Sequence, residues 1–177
     1  VSGGVSEGCY PVINRCNIFL ENYATLSDAD KKKMEGRRGE ILFLRTYAYF
    51  ILSNTFGAVP IMTKSVSGMP ENFYYPKGTL EELYTMLIND MKEAVEILPA
   101  TTGDLGRITK PAAATFLAKL FLVRAQGAEF QNSSEPTLKA LYKGTDSEDL
   151  DNAIKYATVA ISQKQNETAY GGLAPDF

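Results

Sequence analysis

The chain has 177 residues, 45% hydrophobic and 22% charged, which is enough for a folded core and too apolar for a disordered polymer. A net charge of -3 gives it no electrostatic hold on phosphate backbones or anionic lipid, so nucleic acid is not an expected partner. It has no His, the commonest general base and metal ligand, so no catalytic residue, cofactor or metal site is expected.

The opening Val1-Ser2-Gly3-Gly4 has no basic or apolar export region, and Glu7 argues against reading Ser6-Glu7-Gly8-Cys9 as a lipidation box. A first helix is expected over 11–23, with Val12, Ile13, Cys16, Phe19, Leu20 and Tyr23 on one face. Cys9 and Cys16 lie roughly 10 Å apart along a continuous helix, too far for a disulfide, and are expected as half-buried thiols.

A second helix is expected over 27–56, opening on Ser27-x-x-Asp30, with Gly36 and Gly39 loosening its first half. From 41 to 52 it is apolar on nearly every side, which predicts that it is surrounded by other helices. Phe56-Gly57 ends it, and Val59-Pro60 turns the chain into an extended loop, because a residue before proline disfavours the α region.

Thr79-x-x-Glu82 is a capping box for a third helix. Leu80, Leu83, Tyr84, Leu87, Ile88, Met91, Val95 and Leu98 form its stripe, and Glu81, Glu82, Asn89, Asp90, Lys92, Glu93 and Glu96 its solvated side. A fourth helix opens at Thr109-Lys110-Pro111, with Ala113, Phe116, Leu117, Leu120, Phe121 and Arg124 on its face. A fifth is expected over 148–163, with Leu150, Ala153, Ile154, Ala157 and Ile161 inward and a polar loop over 131–145 before it. Short connections between helices predict an all-α fold of stacked antiparallel helical hairpins, tetratricopeptide-like.

Three features invite a chemical reading. Arg45, inside the apolar part of the second helix, needs a partner and is expected to tie that helix to a loop or carboxylate. Gly103-Asp104-Leu105-Gly106-Arg107-Ile108-Thr109-Lys110 lacks phosphate-loop spacing and reads as a turn with a helix cap. The candidate ligand contacts are Phe73, Tyr74 and Tyr75, since aromatic rings held in a Pro- and Gly-flanked loop stack on the apolar faces of sugars or peptides.

The run Glu40-Ile41-Leu42-Phe43-Leu44-Arg45-Thr46-Tyr47-Ala48-Tyr49-Phe50-Ile51-Leu52, followed by Phe56-Gly57-Ala58-Val59-Pro60-Ile61, resembles the hallmark segment of the SusD/RagB family. There a helix reading acidic-x-x-Phe-Leu-Arg-Ala-x-x-Tyr-Phe-x-Leu precedes Phe-Gly-x-Val-Pro. Three further stretches are similar in order and spacing: Tyr10-x-x-Ile13-Asn14-Arg15-Cys16-Asn17, Leu83 to Pro99 with Asp90 and Ala94, and Gly106-Arg107-Ile108-Thr109-Lys110 with Ala112, Ala113, Leu117 and Ala118.

The resemblance implies a SusD-like helical scaffold, with 1–177 a single helical domain forming the N-terminal portion of a longer protein. It implies a non-enzymatic, lipid-anchored protein on the extracellular face of the outer membrane, whose anchor lies outside this sequence. Such a protein captures oligosaccharide for a SusC-like TonB-dependent transporter. The alternative is a peptide-binding or general protein–protein scaffold of helical repeats.

Overall fold

The computed structural model describes residues 3–67, 75–104, 106–127 and 146–165. Among these the fold is all-α, as expected: α1 Gly3–Ala24, α2 Asp28–Phe56, α3 Leu80–Ile97, α4 Lys110–Gly127 and α5 Asp146–Gln165. No helix among the described residues is long and apolar enough to cross a membrane.

Local chemistry sets several of these ends. Ser27 Oγ accepts from the Asp30 amide at 3.2 Å, capping α2. Gly57 closes α2 at φ 70°, a left-handed conformation that costs glycine nothing, and its amide donates to the Ser53 carbonyl at 2.8 Å. At α3 the capping box is reciprocal: the Glu82 amide donates to Thr79 Oγ1 at 3.1 Å, and the Thr79 amide donates to Glu82 Oε2 at 2.8 Å. Helix α1 begins two turns before the expected start, because Pro11 stands inside it rather than in its first turn. Gly36 and Gly39 do not interrupt α2, and Gly39 is buried.

The chain groups into two compact units, Val1–Asp90 and Met91–Phe177, with the boundary inside α3. In the first unit α1 packs on α2. The core here includes Ile13, Cys16, Leu42, Tyr49, Phe50 and Leu52, while Val12, expected inward, is exposed. Segment 41–52 is not enclosed on every side either: Leu44 and Tyr47 are 42% and 48% exposed. Apolar character around a whole helix states what burial would tolerate, and here only one broad face is used. The expected stripe of α3 is buried in full. Its expected solvated side loses Asp90, which is buried because Arg45 claims it.

In the second unit α4 packs on α5. Ala113, Phe116, Leu117, Leu120 and Phe121 are buried as expected. The face of α5 is a correction. Ala153 is buried, but Leu150, Ile154 and Ile161 point outward, Ile154 at 65% exposure. The inward positions are Asp149, Ala153, Tyr156 and Ala160, one residue out of register and hence rotated about 100°. Arg124 Nε and Nη2 donate to the two Asp149 oxygens at 2.8 and 2.6 Å. The Tyr156 ring stacks on Phe121 with centroids 5.8 Å apart. An ion pair, a ring stack and two alanines permit close approach to α4, and that arrangement prevails over the larger aliphatic stripe.

Candidate functional site

The connection between α2 and α3 leaves and returns by two extended arms. Pro60 and Lys77 form an antiparallel bridge, and the Gly78 amide donates to the Val59 carbonyl at 3.0 Å. A Cβ at position 78 would meet the flexible end of the Ile61 side chain, which would have to turn aside, so glycine leaves Ile61 its place between the arms. Tyr75 lies two residues before Lys77 on the second arm.

An extended arm without a partner strand must satisfy its backbone polar groups elsewhere. The first arm does so with side chains of α1 and α2. Tyr10 Oη donates to the Pro60 carbonyl at 3.3 Å. Asn17 Nδ2 donates to the carbonyls of Met62 and Lys64 at 2.8 and 3.1 Å. Asn14 Nδ2 donates to the Val66 carbonyl at 3.2 Å and Asn14 Oδ1 accepts the Val66 amide at 2.7 Å. The Met62 amide donates to Tyr49 Oη at 2.6 Å. Glu21 accepts from the Ser65 amide at 2.8 Å and from its hydroxyl, which hold its carboxyl below the usual carboxylate range. The accepting carbonyls fall at 60, 62, 64 and 66, because alternate carbonyls of an extended chain point the same way.

Between this arm and α1 lies a groove of about 540 Å³, lined by Tyr10, Pro11, Ile13, Asn14, Asn17, Pro60, Met62, Val66 and Tyr75. Its volume falls within the ~300–1,000 Å³ typical of small-molecule sites. Burial pushes the Tyr10 hydroxyl up and raises the Tyr49 hydroxyl to about 12, so both stay protonated at neutral pH. None of the nine described lining residues is Lys, Arg, His, Asp or Glu.

Of the sequence-predicted contacts, Tyr75 stands at this groove, 40% exposed, and its hydroxyl has no hydrogen-bond partner among the described residues. Phe73 and Tyr74 lie outside the described residues. Arg45 is the tie it was expected to be: it pairs with Asp90 and donates through Nη1 to Asn17 Oδ1 at 2.9 Å. Asp104 to Lys110 includes a turn, with the Arg107 amide donating to the Asp104 carbonyl at 3.3 Å and Gly106 at φ 86°. Sequence reasoning missed Asn14 and Asn17 as groove builders. The available signal was two amides three residues apart on an otherwise apolar helix face, followed by a proline-bearing extended segment that needed partners.

Comparison with known proteins bears on this arrangement. The SusD-like family described as starch-binding and associating with the outer membrane matches residues 5–122. A SusD-like protein P2 of Formosa agariphila is 29% identical over 71% of this chain and 24% of its own length. The starch-binding protein SusD of Bacteroides thetaiotaomicron is 30% identical over 62% of this chain and 19% of its own length. A crystal structure solved with xylogluco-oligosaccharide matches 89% of this chain and 29% of that one, at 27% identity and a TM-score of 0.71. The chain thus spans a quarter or less of the curated relatives it matches. Helical order, the Arg45 segment and these matches agree, and the chain belongs to the SusD-like family.

Proposed function

We propose that the chain belongs to a cell-surface glycan-capture protein that binds oligosaccharide without transforming it and passes it to a SusC-like TonB-dependent transporter. In this reading the protein sits on the extracellular face of the outer membrane through a lipid anchor. Tyr75 is its ligand contact within the described residues, with Tyr74 and Phe73 on the same connection.

The observation that carries the reading is Tyr75 itself: a partly exposed ring beside a largely apolar groove, its hydroxyl without a hydrogen-bond partner among the described residues. A sugar ring offers an apolar C–H face to such a plane and hydroxyls to its polar tip. The match to a protein crystallised with xylogluco-oligosaccharide supports the same class of ligand.

Retardation in native gels containing neutral polysaccharide tests it. The protein is expected to be slowed by at least one glycan. Free migration through all of them, together with saturable binding of an oligopeptide, would move the reading to peptide capture.

A further inference from the structure

The groove also constrains which glycans enter it, an inference that rests on the glycan-capture reading. We infer that the site selects electrically neutral oligosaccharides and discriminates against those bearing carboxylate or sulfate groups.

The argument begins with what the groove withholds. None of its nine lining residues is Lys, Arg, His, Asp or Glu. The buried cation nearest in the hydrogen-bond network, Arg45, has its fork on Asp90 and its remaining terminal nitrogen on Asn17. Lys64, on the first arm, lies close enough to Glu21 to favour that carboxylate, so an acid already faces it. Lys77, on the second arm, is exposed and outside the lining. On α1 the flanking charges are of both signs: Glu7 one turn before Tyr10 and Pro11, and exposed Arg15 one turn after Pro11, both outside the lining.

An anionic sugar entering this groove would lose hydration with no cation among the described lining residues to replace it, and desolvating an unpaired charge is strongly unfavourable.

The polar groups of the groove point the same way. Asn17 is buried and engaged: both Nδ2 hydrogens go to the arm and Oδ1 accepts from Arg45. Asn14 spends Oδ1 and one Nδ2 hydrogen on Val66, and Tyr10 spends its hydrogen on Pro60. Among the described lining side chains, the hydrogens left for a ligand are those of the Tyr75 hydroxyl and one Asn14 N–H, with the acceptor side of Tyr10 beside them. That is a sparse, uncharged set beside aromatic and aliphatic surface, suited to the hydroxyls and C–H faces of a neutral sugar.

Calorimetric titration with a neutral xylogluco-oligosaccharide and with an oligogalacturonate of equal length tests this, at low and high ionic strength. The neutral ligand is expected to bind with an affinity that salt leaves unchanged, and to bind about tenfold more weakly to Tyr75→Ala. The oligogalacturonate is expected to bind at least about tenfold more weakly than the neutral ligand. Equal or tighter oligogalacturonate binding that salt weakens would overturn the inference while leaving glycan capture standing. Loss of that binding in Lys77→Gln would then locate the anion on Lys77. Neutral binding indifferent to Tyr75→Ala would place the glycan elsewhere and overturn it too. Binding of neither ligand, with no retardation by any polysaccharide, would remove the glycan-capture reading and this inference with it.

Discussion

Arg45 grips Asp90 with two parallel hydrogen bonds, Nε to Oδ2 at 2.8 Å and Nη2 to Oδ1 at 2.9 Å, and both side chains are about 90% shielded from solvent. The same guanidinium reaches Asn17, whose amide holds the first arm of the α2–α3 connection. One wall of the groove is therefore braced from the interior of the first unit. A buried ion pair contributes little against an apolar replacement, but removing one partner strands the other charge. Asp90→Ala and Arg45→Ala should each cost about 3–5 kcal/mol in chemical denaturation. A loss under about 1 kcal/mol would place the pair in solvent instead.

Asn17→Ala should release the arm without removing the ion pair. It deprives the Lys64 carbonyl of its donor, the Met62 carbonyl of one of two donors (the Tyr49 hydroxyl remains) and Arg45 Nη1 of its acceptor, a cost of about 1–3 kcal/mol. Amide exchange should accelerate at Met62 and Val66, whose N–H groups face Tyr49 and Asn14. Unchanged exchange at both positions would mean that Asn17 does not set the arm.

Alkaline stability reports on Tyr49. Burial raises its hydroxyl from the ordinary value of 10.0 to about 12. The folded chain then holds a proton that the unfolded chain releases, so the contribution is whole below pH 10 and is lost as pH rises toward 12. Stability should fall across that window, and less steeply in Tyr49→Phe. Some slope remains in the variant, since burial also raises Tyr10 and Tyr156. Identical slopes in both proteins would contradict the burial of this hydroxyl.

The corrected register of α5 has its own consequence. Ile154→Ser should change stability by no more than about 0.5 kcal/mol, as for an exposed site. Ala153→Leu should cost about 1–3 kcal/mol by overpacking against α4. The opposite ranking by thermal melting would restore the face that the aliphatic pattern predicts.

Local signals were read correctly where the physics is local. Ser27, Gly57 and the Thr79–Glu82 box act within a turn of their own helix, and each performs the capping that its residue type foretells. The α3 stripe is equally legible, because eight apolar positions leave one orientation open. Asp90 and α5 were misread because a distant arginine decides each: Arg45 lies 45 residues from Asp90, and Arg124 lies 25 residues from Asp149. The groove has the same origin. Tyr75 was visible as an aromatic in a loop, but the wall facing it depends on hydrogen bonds spanning 45 to 52 residues. No periodicity encodes that pairing.

The most direct test of glycan capture at this groove is calorimetric titration of xylogluco-oligosaccharide into the wild-type protein and into Tyr75→Ala, with melting curves recorded for both. Tyr75 is partly exposed and its hydroxyl is unbonded among the described residues, so the substitution should leave the melting curve in place. Affinity should fall about tenfold, the share of one aromatic platform. Unaltered affinity, or a lowered melting temperature with binding intact, would show that Tyr75 packs the connection and does not meet the ligand.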